Sequence, residues 1–358
     1  MRIGLICPYS LTIPGGVQGQ VLGLARSLRA LGHEVRVLGP CDGPPPDAGV
    51  TPLGSSVPTA ANGSVAPLAP DPSAQLRTIR ALRDEDFDVV HLHEPMAPGP
   101  TMTALLFASG PLVGTFHAAG ESAAYKYLGW GLRRMARRLD RRVAVSSDAA
   151  ALASSSLGGD YELLFNGIEV ERFADGPAHP TDRPTIFFLG RHEPRKGLDV
   201  LLAALADLPE DVRLWVGGDG PQTAELQAQY RDDARVEWLG RISDDDRAAR
   251  MRGATVYCSP SVRGESFGMV LLEAMAAGCA LVASDLDGHR NVATDSVDAL
   301  LTPVGDAPAL AKALGRVLDE VPLREQLIAR GRQRAEELSM TRLAGRYAEI
   351  YRAVIVGS

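Results

Sequence analysis

Two doubly wound α/β domains are what this sequence predicts, on three observations. Short apolar runs of strand length alternate with helical stretches along the chain, the pattern that builds parallel sheets with crossover helices. A chain of 358 residues exceeds what one hydrophobic core supports, since cores stop growing near about 250–300 residues. The alternation also falls into two series, separated by the stretch RFADGPAHPTDRP from Arg172 to Pro184, which has three prolines and no apolar period. A boundary between residues 166 and 184 follows. We read 1–168 as one domain, 169–340 as a second and 341–358 as a terminal helix.

The first forty residues form a βαβ unit: strand Arg2 to Cys7, a glycine loop, a periodic helix Gln18 to Ala30, Gly32 as its stop, then strand Glu34 to Leu38. Cys41 to Pro72, rich in Pro, Gly and Ser, reads as a surface loop with one short strand. Strand patterns return at Phe87–His93, Leu112–His117 and Arg142–Ser146. The second series runs through Thr185–Gly190, Val212–Val216, Val236–Leu239, Thr255–Cys258 and Ala280–Ala283, with a helical stretch from Arg342 to Val354 near the end.

Hydrophobic residues make up 45% and charged residues 23% of the chain, a globular balance that excludes disorder. Cys7, Cys41, Cys258 and Cys279 show no C-x-x-C spacing, which suits buried thiols in a reducing compartment, and the cytoplasm is expected. The apolar run Met1–Cys7 stops at Pro8, far short of a secretory signal. No stretch of about 18 apolar residues exists to span a bilayer, so membrane contact is expected to be peripheral. Residues 1–168 balance 14 basic against 14 acidic side chains, so the net charge of −7 belongs to the second half. An acidic chain lacks the footprint of a nucleic-acid binder.

Two stretches are basic and amphipathic. Lys126 to Arg142 sets Leu128, Leu132, Met135 and Leu139 on one stripe, with Arg134, Arg137, Arg138 and Arg141 largely away from it. Gln75 to Arg83 places Leu76, Ile79 and Leu82 beside Arg77, Arg80 and Arg83. Docking on the protein's own sheet and attachment to an anionic leaflet, where each cation contributes about 1 kcal/mol, both remain open.

Chemistry is expected at strand ends. Gly190-Arg191-His192-Glu193-Pro194-Arg195-Lys196-Gly197 follows the first strand of the second domain, where doubly wound sheets bind ligands. Arg191 offers a planar fork and Lys196 a point charge, donors suited to a diphosphate. In Gly264-Glu265-Ser266-Phe267-Gly268-Met269-Val270-Leu271-Leu272-Glu273 the two acids lie eight apart, one expected at a helix start and one two turns along. Glu265 is free for sugar hydroxyls, backbone N–H groups of Ser266, Phe267 and Gly268 suit a phosphate, and a buried Glu273 needs a partner such as ribose hydroxyls. His91-x-His93-Glu94 has a spacing that metals use, but no third ligand, and packing or acceptor contacts account for it better; no metal site is expected. Gly15-Gly16 lies eight residues beyond its strand and lacks G-x-G-x-x-G spacing, which speaks against a dinucleotide.

Taken together, the Gly15-Gly16 loop, G-R-x-x-x-x-K, Gly217-Gly218-Asp219-Gly220-Pro221 and E-S-F-G-x-x-x-x-E resemble the retaining glycosyltransferases of family 4, with the GT-B fold. The stretches MRIGLICPYS…PGGVQ, Asn62-Gly63-Ser64-Val65, FDVVHLHEPMAP, GTFH, RVAVS and GESFGMVLLEAMAAG resemble the actinobacterial phosphatidylinositol mannosyltransferases within it. The resemblance implies two Rossmann-like domains with the active site in the cleft between them, the acceptor on the first, and the terminal helix crossing back to it. It implies that Gly15, Gly16, Gly218, Asp219, Ser266, Phe267 and Gly268 line the donor, that Arg191 and Lys196 neutralise its diphosphate, and that Glu265 holds the sugar and Glu273 the ribose. His117 would stand by the anomeric centre, with Tyr9, Gln18, Asn62, Ser64 and His117 toward the acceptor. The implied substrates are GDP-mannose and phosphatidylinositol or a related inositol lipid, without metal or tightly bound cofactor, in an enzyme peripheral on the inner face of the plasma membrane. Retention fits a same-face attack in which the departing phosphate takes the acceptor's proton. Another nucleoside diphosphate sugar such as UDP-glucose or UDP-GlcNAc, a non-lipid acceptor, a nonhydrolysing sugar-nucleotide epimerase and a regulatory nucleotide-sugar binder are the alternatives.

Overall fold

The computed structural model describes residues 1–61, 64–118, 131–265 and 267–357. The chain forms two compact units, Met1–Gly167 together with Met340–Ser358, and Ile168–Ser339.

In the first unit, the strands are β1 (Arg2–Ile6), β2 (Glu34–Gly39), β3 (Val50–Pro52), β4 (Val57–Ala61), β5 (Ser64–Leu68), β6 (Val89–His93), β7 (Leu112–Phe116), β8 (Arg141–Ala144) and β9 (Glu162–Leu163). A sheet of order β3-β2-β1-β6-β7-β8-β9 is parallel at each pairing, while β4 and β5 make a separate antiparallel hairpin. Because both faces of a parallel sheet are covered, its strands read as continuous apolar runs. Ile3 and Leu5 pack with Val21, Leu24 and Leu28 of helix Gly16–Ala30 and with Tyr347, Ile350 and Tyr351 of helix Met340–Val356. On the other face Ile6, Leu92 and Phe116 meet Leu105, Leu132, Leu139 and Leu157.

The second unit has β10 (Thr185–Leu189), β11 (Arg213–Gly217), β12 (Val236–Gly240), β13 (Val256–Ser259), β14 (Ala280–Ser284) and β15 (Leu300–Thr302) in the order β12-β11-β10-β13-β14-β15. Its core gathers Ile186, Leu201, Leu214, Val256, Val282 and Leu314. Strand order reverses beside β1 in one sheet and beside β10 in the other, so the carboxyl ends of β1/β6 and β10/β13 are the places where such sheets admit ligands.

Two expectations need correction. Cys41–Pro72 holds three strands, β3 to β5: β3 extends the sheet beside β2, and the hairpin pairs Val57 with Leu68 through Ala61 with Ser64. Turn residues masked strands that pairing stabilises. The predicted helix Lys126–Arg142 begins outside the described residues; helical turns cover 131–136, and Arg141 and Arg142 already belong to β8. Arg138 is exposed, and its guanidinium donates to the carbonyls of Leu106 and Ala108.

Candidate functional site

In the second unit the site grows from the end of β10. Pro194, its φ already helical, starts a 3₁₀ turn over Pro194–Lys196, and Gly197 at φ 65° ends it. That turn zips onto the loop after β13: Val262 N donates to Arg195 O at 2.8 Å, and Arg195 Nη1 to Gly264 O at 3.4 Å. Lys196 Nζ thereby reaches Glu265 Oε1 at 2.5 Å, and Ser261 Oγ donates to the same oxygen at 2.7 Å. Burial pushes the Glu265 carboxyl up, but Lys196 and Ser261 outweigh it and hold the group below the usual carboxylate range. Arg191 is different: its side chain is 68% exposed, with Glu193 3.8 Å from Nε, so the fork is available to a ligand.

Behind this pair, Gly218 at φ 105° lies so close that a Cβ would sit 2.0 Å from Gly190 O. Asp219 turns outward and accepts from Arg241 Nε at 2.9 Å. Ser266 lies outside the described residues. Phe267 is buried, and Gly268 in the left-handed region caps helix Met269–Ala276. The helix therefore starts four residues after Glu265, which belongs to a loop and not to the helix start predicted.

Glu273 is buried within that helix. Arg247 Nη1 stands 3.2 Å from Oε2 but out of line, so this buried oxygen accepts no hydrogen bond from the described residues. Burial pushes Glu273 up to about 7, with Arg247 pulling the other way. An unsatisfied buried acceptor is a place for a hydroxyl.

In the first unit the site lies at the ends of β1, β6 and β7. Gly15 precedes helix Gly16–Ala30, and a Cβ on Gly16 would meet nothing within 4 Å among the described residues. Gln18 is buried, folds back against Gly15 and donates to Ser10 O at 3.4 Å. Tyr9 bridges to Leu68, and burial raises its phenol. Asn62 lies outside the described residues, as does the side chain of Ser64.

His117 follows β7. Glu94, at φ 52° and buried, clamps its backbone: Oε1 accepts from the N–H groups of His117 and Ala118, both at 2.5 Å. Burial nonetheless pushes Glu94 up to about 7. His117 Nε2 stands 2.9 Å from His93 Nδ1, and burial lowers His117 to about 4. Beneath them His91 bonds Tyr351 through Nδ1 and Thr115 through Nε2, each at 2.7 Å, and Thr115 Oγ1 meets the Tyr347 hydroxyl at 2.8 Å. Among the described residues no group of three or more His, Cys, Asp or Glu is arranged to hold a metal ion.

Of the residues expected from sequence, Lys196 and Glu265 come together and His117 lies against His93, while Ser261, Arg247, the Glu94 clamp and the tyrosines were not expected. Tyr347 and Tyr351 are spaced i, i+4 on one helix face, the signal that was there; nothing in sequence says which histidine they meet.

Residues 14–172 match the model of Glycosyltransferase Family 4, and residues 169–334 that of Glycosyl transferases group 1. The chain is 42% identical over 365 residues to a phosphatidyl-myo-inositol mannosyltransferase of Mycolicibacterium smegmatis, covering 99% of this chain and 94% of that protein. Among solved structures it is similar to sucrose-phosphate synthase of Thermosynechococcus elongatus (TM-score 0.75, 22% identity, all of both chains). It is also similar to HepE of Anabaena in complex with UDP and glucose (TM-score 0.72, 18% identity, 99% of this chain and 100% of that one).

Proposed function

The chain belongs to glycosyltransferase family 4, alongside the phosphatidyl-myo-inositol mannosyltransferases, and on that premise we propose that it transfers mannose from GDP-mannose to phosphatidylinositol with retention. The observation that carries this reading is 42% identity sustained over 99% of the chain, which spans both units.

The residues fit the chemistry. A departing diphosphate needs fixed positive charge, and Arg191, Lys196 and the N-terminus of helix Met269–Ala276 supply it in place of a metal. Glu265, kept ionised by Lys196 and Ser261, accepts from sugar hydroxyls. Glu273, with an unsatisfied oxygen, accepts from the ribose, and Gly16, with open space before it, lets the backbone approach the diphosphate. His117 contacts the hexose. The departing phosphate then takes the proton of the inositol hydroxyl as the glycosidic bond forms on the same face.

For the lipid, no helix among the described residues is long and apolar enough to cross a membrane. Peripheral contact through Gln75–Arg83 at the inner face of the plasma membrane fits Leu76, 68% exposed, whereas Leu132 and Leu139 of the Lys126–Arg142 stripe are buried against the first sheet.

The test incubates the purified chain with radiolabelled GDP-mannose and vesicles of phosphatidylinositol. Label in the lipid phase with stoichiometric GDP is expected, and Lys196→Ala lowers kcat/KM by on the order of 100-fold or more. Turnover of UDP-glucose but not GDP-mannose would favour the UDP held by the Anabaena neighbour; isomerised nucleotide sugar without acceptor would overturn transfer altogether.

A further inference from the structure

Two imidazoles in the first unit share one hydrogen bond, and only one can donate it. His93 Nδ1 and His117 Nε2 are 2.9 Å apart, with the rings stacked at 5.2 Å between centroids. Burial keeps both neutral, holding His93 well below its ordinary value and His117 near about 4. A neutral imidazole carries a single N–H. Either His93 donates from Nδ1 and leaves its Nε2 bare, or His117 donates from Nε2 and the hydrogen of His93 moves to Nε2.

The surroundings decide between them. His93 Nε2 is buried and has no hydrogen-bond partner among the described residues. A hydrogen placed there would be an orphaned donor, which folded proteins avoid more strictly than an unsatisfied acceptor. Its neighbour His91, 4.3 Å away between centroids, has both nitrogens committed to Tyr351 and Thr115 and offers nothing in return. Glu94 Oε1 accepts from the backbone N–H groups of His117 and Ala118 and so holds the backbone that carries the His117 ring.

We propose that His93 is a positioning residue: it donates from Nδ1 to His117 Nε2 and so fixes His117 in the tautomer with its hydrogen on Nδ1. The one N–H of His117 then sits on Nδ1, the ring nitrogen not engaged by His93, and Nδ1 makes no hydrogen bond among the described residues. His117 is thereby a hydrogen-bond donor to a hydroxyl of the hexose and is unfit to act as a base there. This assignment of a ligand rests on the reading above that His117 meets the transferred sugar.

The tautomer is measured without substrate. In the full chain labelled with 15N-histidine, two-bond proton–nitrogen correlations distinguish a protonated from a bare ring nitrogen. Hydrogen on Nδ1 of both His93 and His117 is expected; hydrogen on His117 Nε2, or on both its nitrogens, overturns the proposal. His93→Asn, whose amide nitrogen takes the place of Nδ1, should keep the His117 tautomer and most of kcat. His93→Leu should release the tautomer and lower kcat by about tenfold or more, with the KM for GDP-mannose changed by less than about threefold. Equal loss in the two variants with an unchanged tautomer overturns the positioning role. Undiminished transfer by His117→Ala would unseat the contact with sugar beneath it, a failure told apart because the tautomer is read in substrate-free protein.

Discussion

Glu265 and Glu273 are the same residue type eight positions apart, yet their surroundings drive them in opposite directions. Glu265 has Lys196 2.5 Å away and in line, and stays ionised. Glu273 has Arg247 nearby but misaligned, and burial raises it to about 7. Geometry, more than proximity, separates them. The same reasoning yields a pH prediction at His91. Burial lowers its imidazole to about 3, while an unfolded histidine titrates near about 6.5. Below that pH the unfolded chain binds a proton that the folded chain refuses, so the unfolding free energy falls on acidification from about 6.5 toward 3, by about 1.4 kcal/mol per pH unit for this group. Glu94 and Glu273, raised to about 7, act oppositely: ionised only in the unfolded chain above about 4.5, they reduce stability as pH rises to 7. Both remain in His91→Asn, so the comparison isolates His91. Urea unfolding at pH 7, 6 and 5 should show a flatter acidic limb in the variant; parallel limbs would refute it. Residue types such as Lys196 and Glu265 were readable because their chemistry is carried in a local motif. The Glu94 clamp was not, because its partners are backbone N–H groups supplied by another strand end.

Elements place these groups, and glycines decide how closely. Gly218 follows β11 with φ 105° and no room for a Cβ, whereas Gly16 opens helix Gly16–Ala30 with nothing within 4 Å of one. The two should therefore fail differently. Gly218→Ala must strain its backbone and displace Gly190 O, and should destabilise the chain by about 2 kcal/mol or more. Gly16→Ala should leave stability within about 0.5 kcal/mol yet weaken binding of GDP-mannose by occupying the space a diphosphate needs. Thermal unfolding alongside nucleotide titration separates the cases; a destabilised Gly16→Ala that binds normally would reverse the assignment. The alternating elements themselves were legible because apolar runs in a doubly covered parallel sheet are unbroken. The hairpin β4–β5 was not, since its two strands rely on each other and carry Pro58 and Pro67 opposite one another.

At the scale of the molecule, the first unit is assembled from two separate pieces of chain. Helix Met340–Val356 buries Met340, Ala344, Tyr347, Ala348, Ile350, Tyr351 and Val354. At about 1.5–3 kcal/mol for each large side chain, that is on the order of 10 kcal/mol, comparable with the whole stability of a domain. A chain ending at Ser339 should lose the cooperative fold of Met1–Gly167 while Ile168–Ser339 keeps its own. Hydrogen exchange followed by mass spectrometry would show rapid exchange in β1, β6 and β7 with protection retained in β10, β11 and β13; protection in both units would sink the idea. The same arrangement sets an order of events during synthesis. The strands of the first sheet leave the ribosome early, but the helix that covers one of their faces is made last, after Ile168–Ser339. At about 5–20 residues per second, His91 and Thr115 wait on the order of ten seconds or longer for Tyr351 and Tyr347. For that interval the unit made first is the one still exposed to chaperones and proteases, and the unit made second is the first that can finish folding.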